Sequence, residues 1–525
     1  MNLHWLDITT LVLYISALVG MGFYFSKKNT TTEEYFVGGR SYSGWVIGLS
    51  MIGTSISSVT FLAFPADAYK TAWLRFLPNF TLPLTVLLAA YFFLPFFRKT
   101  KIISAYEYLE ERFSPSIRVY GAVTFIIGQL IRLALILFLV SILMHEITGY
   151  SAVTSVIIAG LLVSVYTIVG GINAVIWTDV LQTIVLVLGG IVILIIIVAA
   201  MPGGFGQIFE IANADNKFAI AELTNGRLNP VTWGFSLSDK TGLMMLFVGL
   251  TVWLQEYGTN QNVIQRYAAA KSMKEARKGL YTIGLLNVPI WAFYMFLGTA
   301  LYAFFQVNHS AEALEMLNGT QKAEHIMPFF ILNYMPPGVA GIVISAALAA
   351  AMSSLDSSIN AISTVAVNDI YRRHYKKNEV DKHYLHVAWV AAGIASVFMV
   401  IGAIILIYSD TKTIQDAATI LSSVVMGGVF GMYLLGFVTE RANSKSVWLG
   451  IAFTFVFSVW TILSKQGVLP DSLTVPFDLY YTGMIGHILL FAIAFVASAF
   501  IFKNEEKKDL TNLTIWTKDG KPIDD

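Results

Sequence analysis

Five polar side chains lie on one face of a segment that is otherwise apolar enough to span a membrane. The segment, residues 352–365, reads MSSLDSSINAISTV. Its polar stripe follows the i, i+3, i+4, i+7, i+11 spacing of a helix face and consists of Ser353, Asp356, Ser357, Asn360 and Thr364. Close helix packing explains the small residues, but such an interface gains nothing from a buried carboxylate. Oxygen ligands suit a hard cation, so the stripe indicates a cation site.

Two further stretches combine polar side chains with residues that interrupt helices. In GLSMIGTSISSVTFLAFPAD, hydroxyl and β-branched side chains surround Gly53, and Pro65 follows. In TVWLQEYGTNQNVIQR, Gln255, Glu256 and Asn260 share one apolar segment. Unwound backbone is tolerated at membrane depth only where it lines a cavity or site. Matching breaks in two halves of a chain indicate an inverted-repeat transporter whose site lies at the breaks.

Four ionisable residues lie inside apolar segments, where each is costly unless it is paired or solvated: Arg132, Asp179, Glu256 and Asp356. Arg132 could hold a substrate carboxylate bidentately, or it could pair with a carboxylate of the protein. Asp179 could bind a cation or cap a helix N-terminus. Glu256 could contact substrate hydroxyls, form part of a gate, or face a solvated cavity.

The composition shows which elements must position these side chains. Of 525 residues, 56 % are hydrophobic and 13 % charged, and apolar runs recur along the chain. Runs of about 20 residues match helices that cross a bilayer, so we expect an all-α polytopic membrane protein. The absence of cysteine excludes disulfides and thiol chemistry, and a net charge of +1 gives no field that would attract nucleic acid. We expect neither an organic cofactor nor an enzyme.

The apolar runs predict thirteen spans, which belong to a single transmembrane transporter domain, 1–525. The predicted spans are 4–26, 43–68, 78–97, 117–146, 151–171, 174–200, 242–264, 279–306, 337–367, 385–408, 413–438, 445–464 and 478–502. The core repeats are placed at 43–200 and 242–438, with peripheral helices at 4–26, 445–464 and 478–502. Lys and Arg concentrate in alternate loops and in the tail, 503–525. This positive-inside pattern puts the N-terminus outside and the C-terminus in the cytoplasm. The outer loops near 201–241 and 307–336 are long enough for short helices.

Four motifs give the chain a resemblance to the sodium:solute symporter family, which includes bacterial sodium–galactose, proline and sialic acid symporters. The motifs are YFVGGRSYSGWVIGLSMIGTSISS, YTIVGGINAVIWTDVLQ, GTNQNVIQRYAAAKSMKEARKG and AALAAAMSSLDSSINAISTV. The resemblance implies the leucine-transporter fold, an inverted repeat of five plus five helices with two interrupted helices and extra helices around it. It also implies a bacterial inner-membrane location and function as a monomer.

The resemblance implies one or two sodium ions. The family's principal sodium site carries onto backbone carbonyls and hydroxyls of Gly53, Ile56, Ala350, Ser353 and Ser354. Some sialic acid symporters bind a second sodium, and the matching positions are Asp179, Ser353, Asp356 and Ser357. Asp356 replaces a serine of that pattern, so the second site would hold two carboxylates.

The sialic acid pattern also implies a substrate site. Its residues, together with the polar residues of the second break, are Ser55, Ser57, Thr60, Arg75, Asn79, Arg132, Glu256 and Asn260. Ser57, Thr60 and Arg132 keep the residue type of the pattern. Ser55 replaces a threonine, Asn79 replaces a glutamine, and Arg75 stands where the pattern has a phenylalanine. The carboxylate clamp is therefore retained, while the sugar specificity is open.

The sequence thus predicts a sodium-coupled symporter that imports an acidic sugar such as sialic acid by alternating access. A uronate or another monocarboxylate is the first alternative substrate, and a neutral sugar or polyol is the second. Outside the transporter class, a membrane sensor is the alternative, but the short tail argues against a sensor with an attached kinase. A channel would need a continuous polar pore, whereas the polar residues here concentrate around one midplane site.

Overall fold

The computed structural model describes residues 3–98, 102–224, 226–408, 427–503 and 508–517. Within these residues, nine helices are long and apolar enough to cross a membrane, and a bent helix pair gives a tenth crossing. The chain is therefore a multi-pass membrane protein. Long apolar helices suit this environment because each one satisfies its own backbone hydrogen bonds where no water is present.

The first half of the chain contains nine helices and a two-stranded hairpin. The helices are α1 (Trp5–Ser26), α2 (Thr32–Val37), α3 (Gly44–Ser55), α4 (Val59–Lys70), α5 (Leu74–Arg98), α6 (Glu107–Arg112), α7 (Pro115–Thr148), α8 (Ala152–Ala200) and α9 (Gly204–Ala214). Strands β1 (Ala221–Thr224) and β2 (Arg227–Pro230) pair antiparallel. They follow α9 in the loop 201–241, which the sequence predicted to be an outer loop with room for short helices.

The second half contains ten helices. They are α10 (Gly242–Thr259), α11 (Gln261–Ala269), α12 (Met273–Val307), α13 (Ala311–Asn318), α14 (Ile326–Tyr334), α15 (Val339–Val365), α16 (Asp381–Tyr408), α17 (Val429–Val438), α18 (Ser444–Lys465) and α19 (Thr482–Phe500). Helix α15 continues through π-helical turns to Tyr375. Short 3-10 turns occur at Gly38–Arg40, Ala323–His325, Asp471–Leu473 and Leu479–Tyr481.

Each predicted span corresponds to a helix or a helix pair, except that 413–426 lies outside the described residues. The boundaries differ because several helices extend past their apolar stretch, as α12 does by starting at Met273 instead of residue 279. Helix α8 combines two predicted spans. At 49 residues it is far longer than a bilayer crossing, and Gly171 interrupts it with φ 56° and ψ −164°, outside helical geometry.

The polar segment of α15 lies at the centre of the bundle. Helix α15 packs most extensively on α8 and also contacts α1, α3, α7 and α16. Its residues from Val343 to Val365 are all buried, so the serines and Asp356 face other helices and not lipid. Alanine and serine permit this close approach because their side chains are small.

Arginine side chains join helix ends at one end of the bundle. We call the end that contains Arg40 and Arg98 the basic end, and the charge pattern predicts that it is cytoplasmic. Arg98 Nη1 donates to the carbonyls of Tyr267 and Ala270 at 2.8 and 2.7 Å. Arg40 donates to the carbonyls of Ala268 and Ile102 at 3.4 and 3.1 Å. Two guanidinium groups therefore satisfy carbonyls at the C-terminal end of α11, where the helix has no further backbone donors.

Candidate functional site

Helix α3 ends at Ser55 in the middle of the bundle, as the sequence predicted. Ile56 is extended, with φ −95° and ψ 116°, and the chain resumes as α4 at an angle of 61°. Carbonyls next to such a break lose the helical donors four residues further along the chain. The Ser354 hydroxyl donates to the Thr54 carbonyl at 3.1 Å, so α15 contacts the unwound segment directly.

Gly53 leaves space for oxygen atoms beside the break. A Cβ atom at this position would lie 2.9 Å from Ser353 Oγ, 2.8 Å from Thr183 Oγ1 and 3.0 Å from the Asp179 carbonyl oxygen. Three oxygens from two other helices therefore converge on the missing side chain. These oxygens and the Ser354 hydroxyl are donor atoms of the type that a hard cation such as sodium prefers.

Arg132 reaches the same break from α7. Its Nη2 atom lies 3.4 Å from the Thr54 carbonyl oxygen, and the side chain is only partly buried. The sequence left open whether Arg132 pairs with a carboxylate of the protein. No such ion pair occurs among the described residues, so the guanidinium retains donors for a carboxylate ligand next to the unwound segment.

Asp179 is the centre of a buried hydrogen-bonded cluster between α3, α8, α11 and α15. Its Oδ2 atom accepts from Arg266 Nη2 and from Ser50 Oγ, both at 2.6 Å, and its Oδ1 atom accepts from Ser353 Oγ. Arg266 Nη2 also donates to Ser357 Oγ at 2.7 Å. Of the predicted second sodium site, Asp179, Ser353 and Ser357 therefore lie together, and a guanidinium shares their oxygens.

The structure gives the surroundings of Asp179 and Asp356. Asp179 does not cap a helix, because it lies eight residues past the kink at Gly171 and well inside α8. The Asp356 carboxylate lies close enough to Asp179 and Arg266 for their charges to interact, but no hydrogen bond joins it to the Asp179 cluster. Its Oδ2 atom accepts instead from Tyr166 and Thr178, each at 3.2 Å. Adjacent helix residues point about 100° apart, so Asp356 and Ser357 contact different neighbours.

The second break separates α10 from α11 at Asn260, as predicted. Asn260 is extended, with φ −78° and ψ 125°. Its side-chain oxygen caps α11 by accepting from the Asn262 amide at 2.9 Å, and its Nδ2 atom donates to Glu256 Oε2 at 2.7 Å. Asn260 is buried and engaged in the backbone of the break, while Glu256 is partly exposed. Of these two predicted substrate residues, Glu256 is the accessible one.

The other predicted substrate residues divide into two groups. Ser55, Ser57 and Thr60 lie at the first break, where Ser55 Oγ lies 3.1 Å from Asn287 Oδ1 and Ser57 Oγ accepts from the Val59 amide. Asn79 is buried in the 3-10 segment Leu74–Thr81 that begins α5. Arg75 does not join the break, because it lies beyond the far end of α4, where its Nε atom is 3.5 Å from Asp67 Oδ1.

Arg266 is the residue of this site that the sequence reasoning missed. It lies inside a recognised motif, but it follows the second break, where a basic residue is expected at the membrane surface. Its side chain is nevertheless only 1 % exposed. The charge balance could have indicated it. A carboxylate buried in a membrane requires a cation or a proton, and Arg266 is the arginine that α11 supplies.

Comparisons with known proteins identify the family of the chain. The model of the "Sodium:solute symporter family" matches residues 35–452. The chain belongs to the sodium:solute symporter family. It is 35 % identical over 460 residues to the sodium/sialic acid symporter SiaT of Proteus mirabilis, covering 87 % of this chain and 90 % of that protein. It is 29 % identical to the sodium/sialic acid symporter NanT of Aliivibrio fischeri, covering 96 % of this chain and 95 % of that protein.

Other proteins similar to this symporter are named for different substrates. The human sodium-coupled monocarboxylate transporter 1 is 29 % identical, with 87 % of this chain and 72 % of that protein covered. Among solved structures, a substrate-bound, outward-open Na⁺-coupled sialic acid symporter superposes with a TM-score of 0.83 at 30 % identity, covering 95 % and 98 % of the two chains. Mhp1 of the nucleobase-cation-symport-1 family superposes with a TM-score of 0.54 at 12 % identity, covering 91 % and 97 %.

These similarities settle the class of the protein and its fold. The chain is a sodium-coupled solute symporter with the leucine-transporter fold, and it belongs to a transporter family and not to an enzyme family. The family implies that it binds sodium. Inverted-repeat transporters generally hold ions and substrate at interrupted helices, and the two breaks of this chain lie at Ser55–Val59 and at Asn260.

Proposed function

We propose that this symporter imports an acidic sugar together with sodium, and that sialic acid is its leading substrate. The observation that carries this proposal is the position of Arg132. The guanidinium is partly exposed at membrane depth and lies 3.4 Å from the carbonyl of Thr54, in the unwound segment. Arginine matches a carboxylate bidentately. The names of the relatives SiaT and NanT support a sialic acid as the carboxylate ligand.

Two sodium ions would drive the uptake. The first would bind at carbonyls of Gly53, Ile56 and Ala350 with the hydroxyls of Ser353 and Ser354. The second would bind beside Asp179, Ser353 and Ser357, where it would compete with the Arg266 guanidinium for the same oxygens. The oxygens that converge on Gly53 support the first site.

The number of ions follows from the charge of the substrate. A monoanion carried with one sodium moves no net charge and gains nothing from the membrane potential. With two sodium ions, one net charge moves, which is worth about 2.3 kcal/mol per 100 mV. Each tenfold sodium gradient adds about 1.4 kcal/mol per ion. Strong accumulation of an anion therefore favours a second ion.

Alternating access would couple these events in the cell membrane, with the N-terminus outside and the C-terminus in the cytoplasm. Arginine contacts join helix ends on the predicted cytoplasmic side, and they would hold that side closed in an outward-facing arrangement. Sodium at the first break would favour this outward-facing arrangement because it joins α3 to α15. A ligand shifts such an equilibrium only through its different affinity for the two states.

The proposal is tested with purified protein in proteoliposomes. We expect an inward sodium gradient to drive uptake of radiolabelled sialic acid and an equal potassium gradient to drive none. Arg132→Gln should abolish uptake, and Arg132→Lys should weaken apparent affinity because lysine lacks the bidentate geometry. Arg277→Gln is the matched control, since Arg277 contacts the Ala90 carbonyl away from the break. Unchanged sialic acid affinity in Arg132→Gln would contradict the substrate clamp.

A uronate or another monocarboxylate is the second candidate substrate. Arg132 would recognise the carboxylate of any of these solutes, and the similarity to the human sodium-coupled monocarboxylate transporter 1 supports this alternative. A neutral sugar would not use the guanidinium charge. Competition of sialic acid uptake by glucuronate, lactate and galactose separates the three cases, because only a true substrate or a close analogue competes at micromolar to millimolar concentration.

A further inference from the structure

A cavity of about 590 Å³ opens at the basic end, between α1, α2, α3 and α8. Its volume is within the range of pockets that hold small molecules. The residues that give the cavity its chemistry are Lys28, Glu34, Ser41, Ser43, Trp45 and Trp177. We call this space the Lys28 cavity. None of these residues belongs to a helix break or to the Asp179 cluster, so the cavity is separate from the proposed ion and substrate sites.

Aromatic side chains surround the Lys28 cavity where the bundle meets lipid. Trp45 is 47 % exposed, and its ring contacts Trp177 edge to face at 6.4 Å between centroids. Tyr24, on the neighbouring α1, is 58 % exposed. Exposed tryptophan and tyrosine side chains of membrane proteins concentrate at the level of the lipid headgroups. The cavity therefore opens at a depth where a lipid headgroup can enter it.

Lys28 supplies a positive charge to the cavity. Its Nζ atom lies 4.8 Å from the centre of the Tyr24 ring and 5.5 Å from that of Phe25. Lys28 forms no ion pair with a carboxylate in the ranges that the structure describes. A lysine ammonium carries three donors, and aromatic rings accept none of them fully. Lys28 can therefore bind an anionic group such as a phosphodiester.

Glu34 supplies a negative charge to the same cavity. Its Oε2 atom accepts from the amide and the hydroxyl of Thr30, both at 2.8 Å, and from the Thr31 amide at 3.2 Å. Hydrogen bonds, first of all from Thr30, lower the pKa of Glu34, so the carboxylate is charged at neutral pH. Oε1 accepts none of these bonds. Glu34 can therefore pair with an ammonium group of a ligand.

Hydrogen bonds fix the shape of the cavity wall. The Tyr42 hydroxyl donates to Asn173 Oδ1 at 2.5 Å, and both residues line the cavity. Asn173 Nδ2 donates to Asn29 Oδ1 at 3.0 Å and to the Glu34 carbonyl at 3.1 Å. These bonds join the segment before α3 to α2 and α8. A site that is formed before its ligand arrives loses little conformational entropy on binding.

We propose that the Lys28 cavity binds the headgroup of phosphatidylethanolamine, a lipid that carries a phosphodiester and a primary ammonium. The phosphodiester would face Lys28 and the hydroxyls of Ser41 and Ser43. The ammonium would face Glu34 and the indole rings, which attract cations. Glu34 would repel a headgroup that is only anionic, and the quaternary ammonium of phosphatidylcholine has no hydrogen to donate to it. This inference goes beyond the proposed function and depends on neither sodium nor substrate.

Bound lipid would link the helices around the cavity to the first interrupted helix. Phe25 and Lys28 follow α1 to its C-terminal end, Glu34 lies in α2 and Trp177 in α8, while Trp45 lies in α3. Helix α3 ends at the first break. A ligand that binds only the folded protein raises its stability, so the lipid should stabilise the packing of α3 against its neighbours.

Native mass spectrometry of the purified, delipidated full-length protein tests the site. Phosphatidylethanolamine, phosphatidylcholine and phosphatidylglycerol with identical acyl chains are titrated separately. We expect phosphatidylethanolamine to bind most tightly, and Lys28→Gln to weaken its binding about fivefold, which is the contribution of one lysine at a membrane surface. Lys27→Gln is the matched control, since Lys27 is an exposed neighbour that does not line the cavity.

A second pair of variants tests the aromatic wall. Trp177→Leu should weaken binding of phosphatidylethanolamine, whereas Trp448→Leu, at a 40 % exposed tryptophan of α18, should leave it unchanged. Equal affinity of the unmodified protein, Lys28→Gln and Trp177→Leu would overturn the site. Tighter binding of phosphatidylglycerol or phosphatidylcholine than of phosphatidylethanolamine would overturn the assigned headgroup.

A soluble competitor distinguishes a lipid from a free phosphate ester. Glycerophosphoethanolamine has the same headgroup without acyl chains, and it should displace the lipid only at a large molar excess. Displacement at equal concentration would mean that the cavity takes a soluble phosphate ester, which contradicts the proposal. The titrations contain neither a sodium gradient nor a sugar. Their failure would therefore leave the proposed function intact, and loss of sodium-driven uptake would leave the lipid site intact.

Discussion

The Ser354 hydroxyl donates to the Thr54 carbonyl at 3.1 Å, across 300 residues of sequence. Arg132 Nη2 lies 3.4 Å from the same carbonyl oxygen. One backbone group at the break therefore contacts both the proposed sodium site and the proposed carboxylate clamp. If these sites bind as proposed, binding at either one would change the surroundings of this carbonyl and so couple the two sites. Such coupling is reciprocal, so sodium should raise substrate affinity by the same factor as substrate raises sodium affinity.

Removing a sodium ligand should abolish coupled uptake. We expect Ser353→Ala and Ser354→Ala each to eliminate sodium-dependent transport, because a small ion held by few oxygens loses a large share of its coordination with each one. Uptake in proteoliposomes over a range of sodium concentrations measures the effect. Ser363→Ala is the control on the same helix, since Ser363 Oγ donates to the Ala388 carbonyl away from the break. Sodium-dependent uptake that survives in both site variants would refute the assigned ion site.

Breaking the ion pair between Asp179 and Arg266 should destabilise the protein strongly. Removal of one partner from a buried pair typically costs about 3–5 kcal/mol because the other charge is left unpaired. We expect Asp179→Asn and Arg266→Gln each to lower the unfolding temperature. The stability lost in the double variant should be smaller than the sum of the losses in the two single variants. Thermal unfolding in detergent, arranged as a double-mutant cycle, checks this expectation.

A second buried pair provides the control for this cycle. Arg118 Nε lies 2.7 Å from Asp369 Oδ1 near the basic end, away from the breaks. Arg118→Gln should reduce stability but leave the half-saturating sodium concentration unchanged, whereas Asp179→Asn should change both. Equal sodium dependence in the two variants would mean that Asp179 has a structural role alone.

Releasing the end of α11 should open the basic end. Arg98 and Arg40 both donate to carbonyls there, so Arg98→Ala should favour the inward-facing state. The chain contains no cysteine, so a single cysteine introduced by Ala268→Cys would be the only site of thiol labelling. Ala268 is 3 % exposed, and the labelling rate of this cysteine therefore measures how far solvent reaches the end of α11. We expect labelling by a membrane-impermeant thiol reagent from the basic side to rise several-fold.

The exposed Lys274 on the same face supplies the control for the labelling experiment. Lys274→Ala removes one positive charge from the basic end without removing a donor to the α11 carbonyls. Its labelling rate should stay at the level of the parent cysteine variant. If the labelling rate rose equally in Arg98→Ala and Lys274→Ala, the cause would be the lost positive charge and not the opening of the basic end.

A buried lysine should make the protein more stable as the pH rises above neutrality. Lys217 lies in the loop after α9, and its Nζ atom donates to the carbonyls of Tyr69 and Thr71, both at 2.6 Å. Burial lowers the pKa of Lys217 from 10.5 to about 7, although Asp67 and Asp215 raise it in part. Between these two pKa values the unfolded state binds more protons than the folded state, so the free energy of unfolding increases with pH in that window.

Thermal unfolding between pH 7 and pH 10 measures this effect. Lys217→Met should remove the rise, because methionine keeps much of the side-chain volume and does not titrate. Lys240→Met serves as the control, since Lys240 lies in the same outer region near Glu222 but is partly exposed. A pH profile that is the same in Lys217→Met and in the unmodified protein would disprove the contribution of Lys217.

The local pattern of the sequence was enough to predict the elements of the site. Long apolar runs define membrane helices because the bilayer has a fixed thickness. The two breaks were predicted correctly from the residues around Gly53 and Asn260, since polar groups inside such runs must face a cavity or a site. The stripe that starts at Ser353 was recognisable because helical periodicity is a property of neighbouring residues.

The tertiary structure alone decided which polar groups meet. Arg266 pairs with Asp179 from a helix 87 residues further along the chain, and no periodicity links the two positions. Asp356 and Ser357 are adjacent in sequence but contact different helices, because successive side chains on a helix point about 100° apart. Charge partners inside a membrane depend on how whole helices pack against one another, and that packing is a property of the assembled bundle.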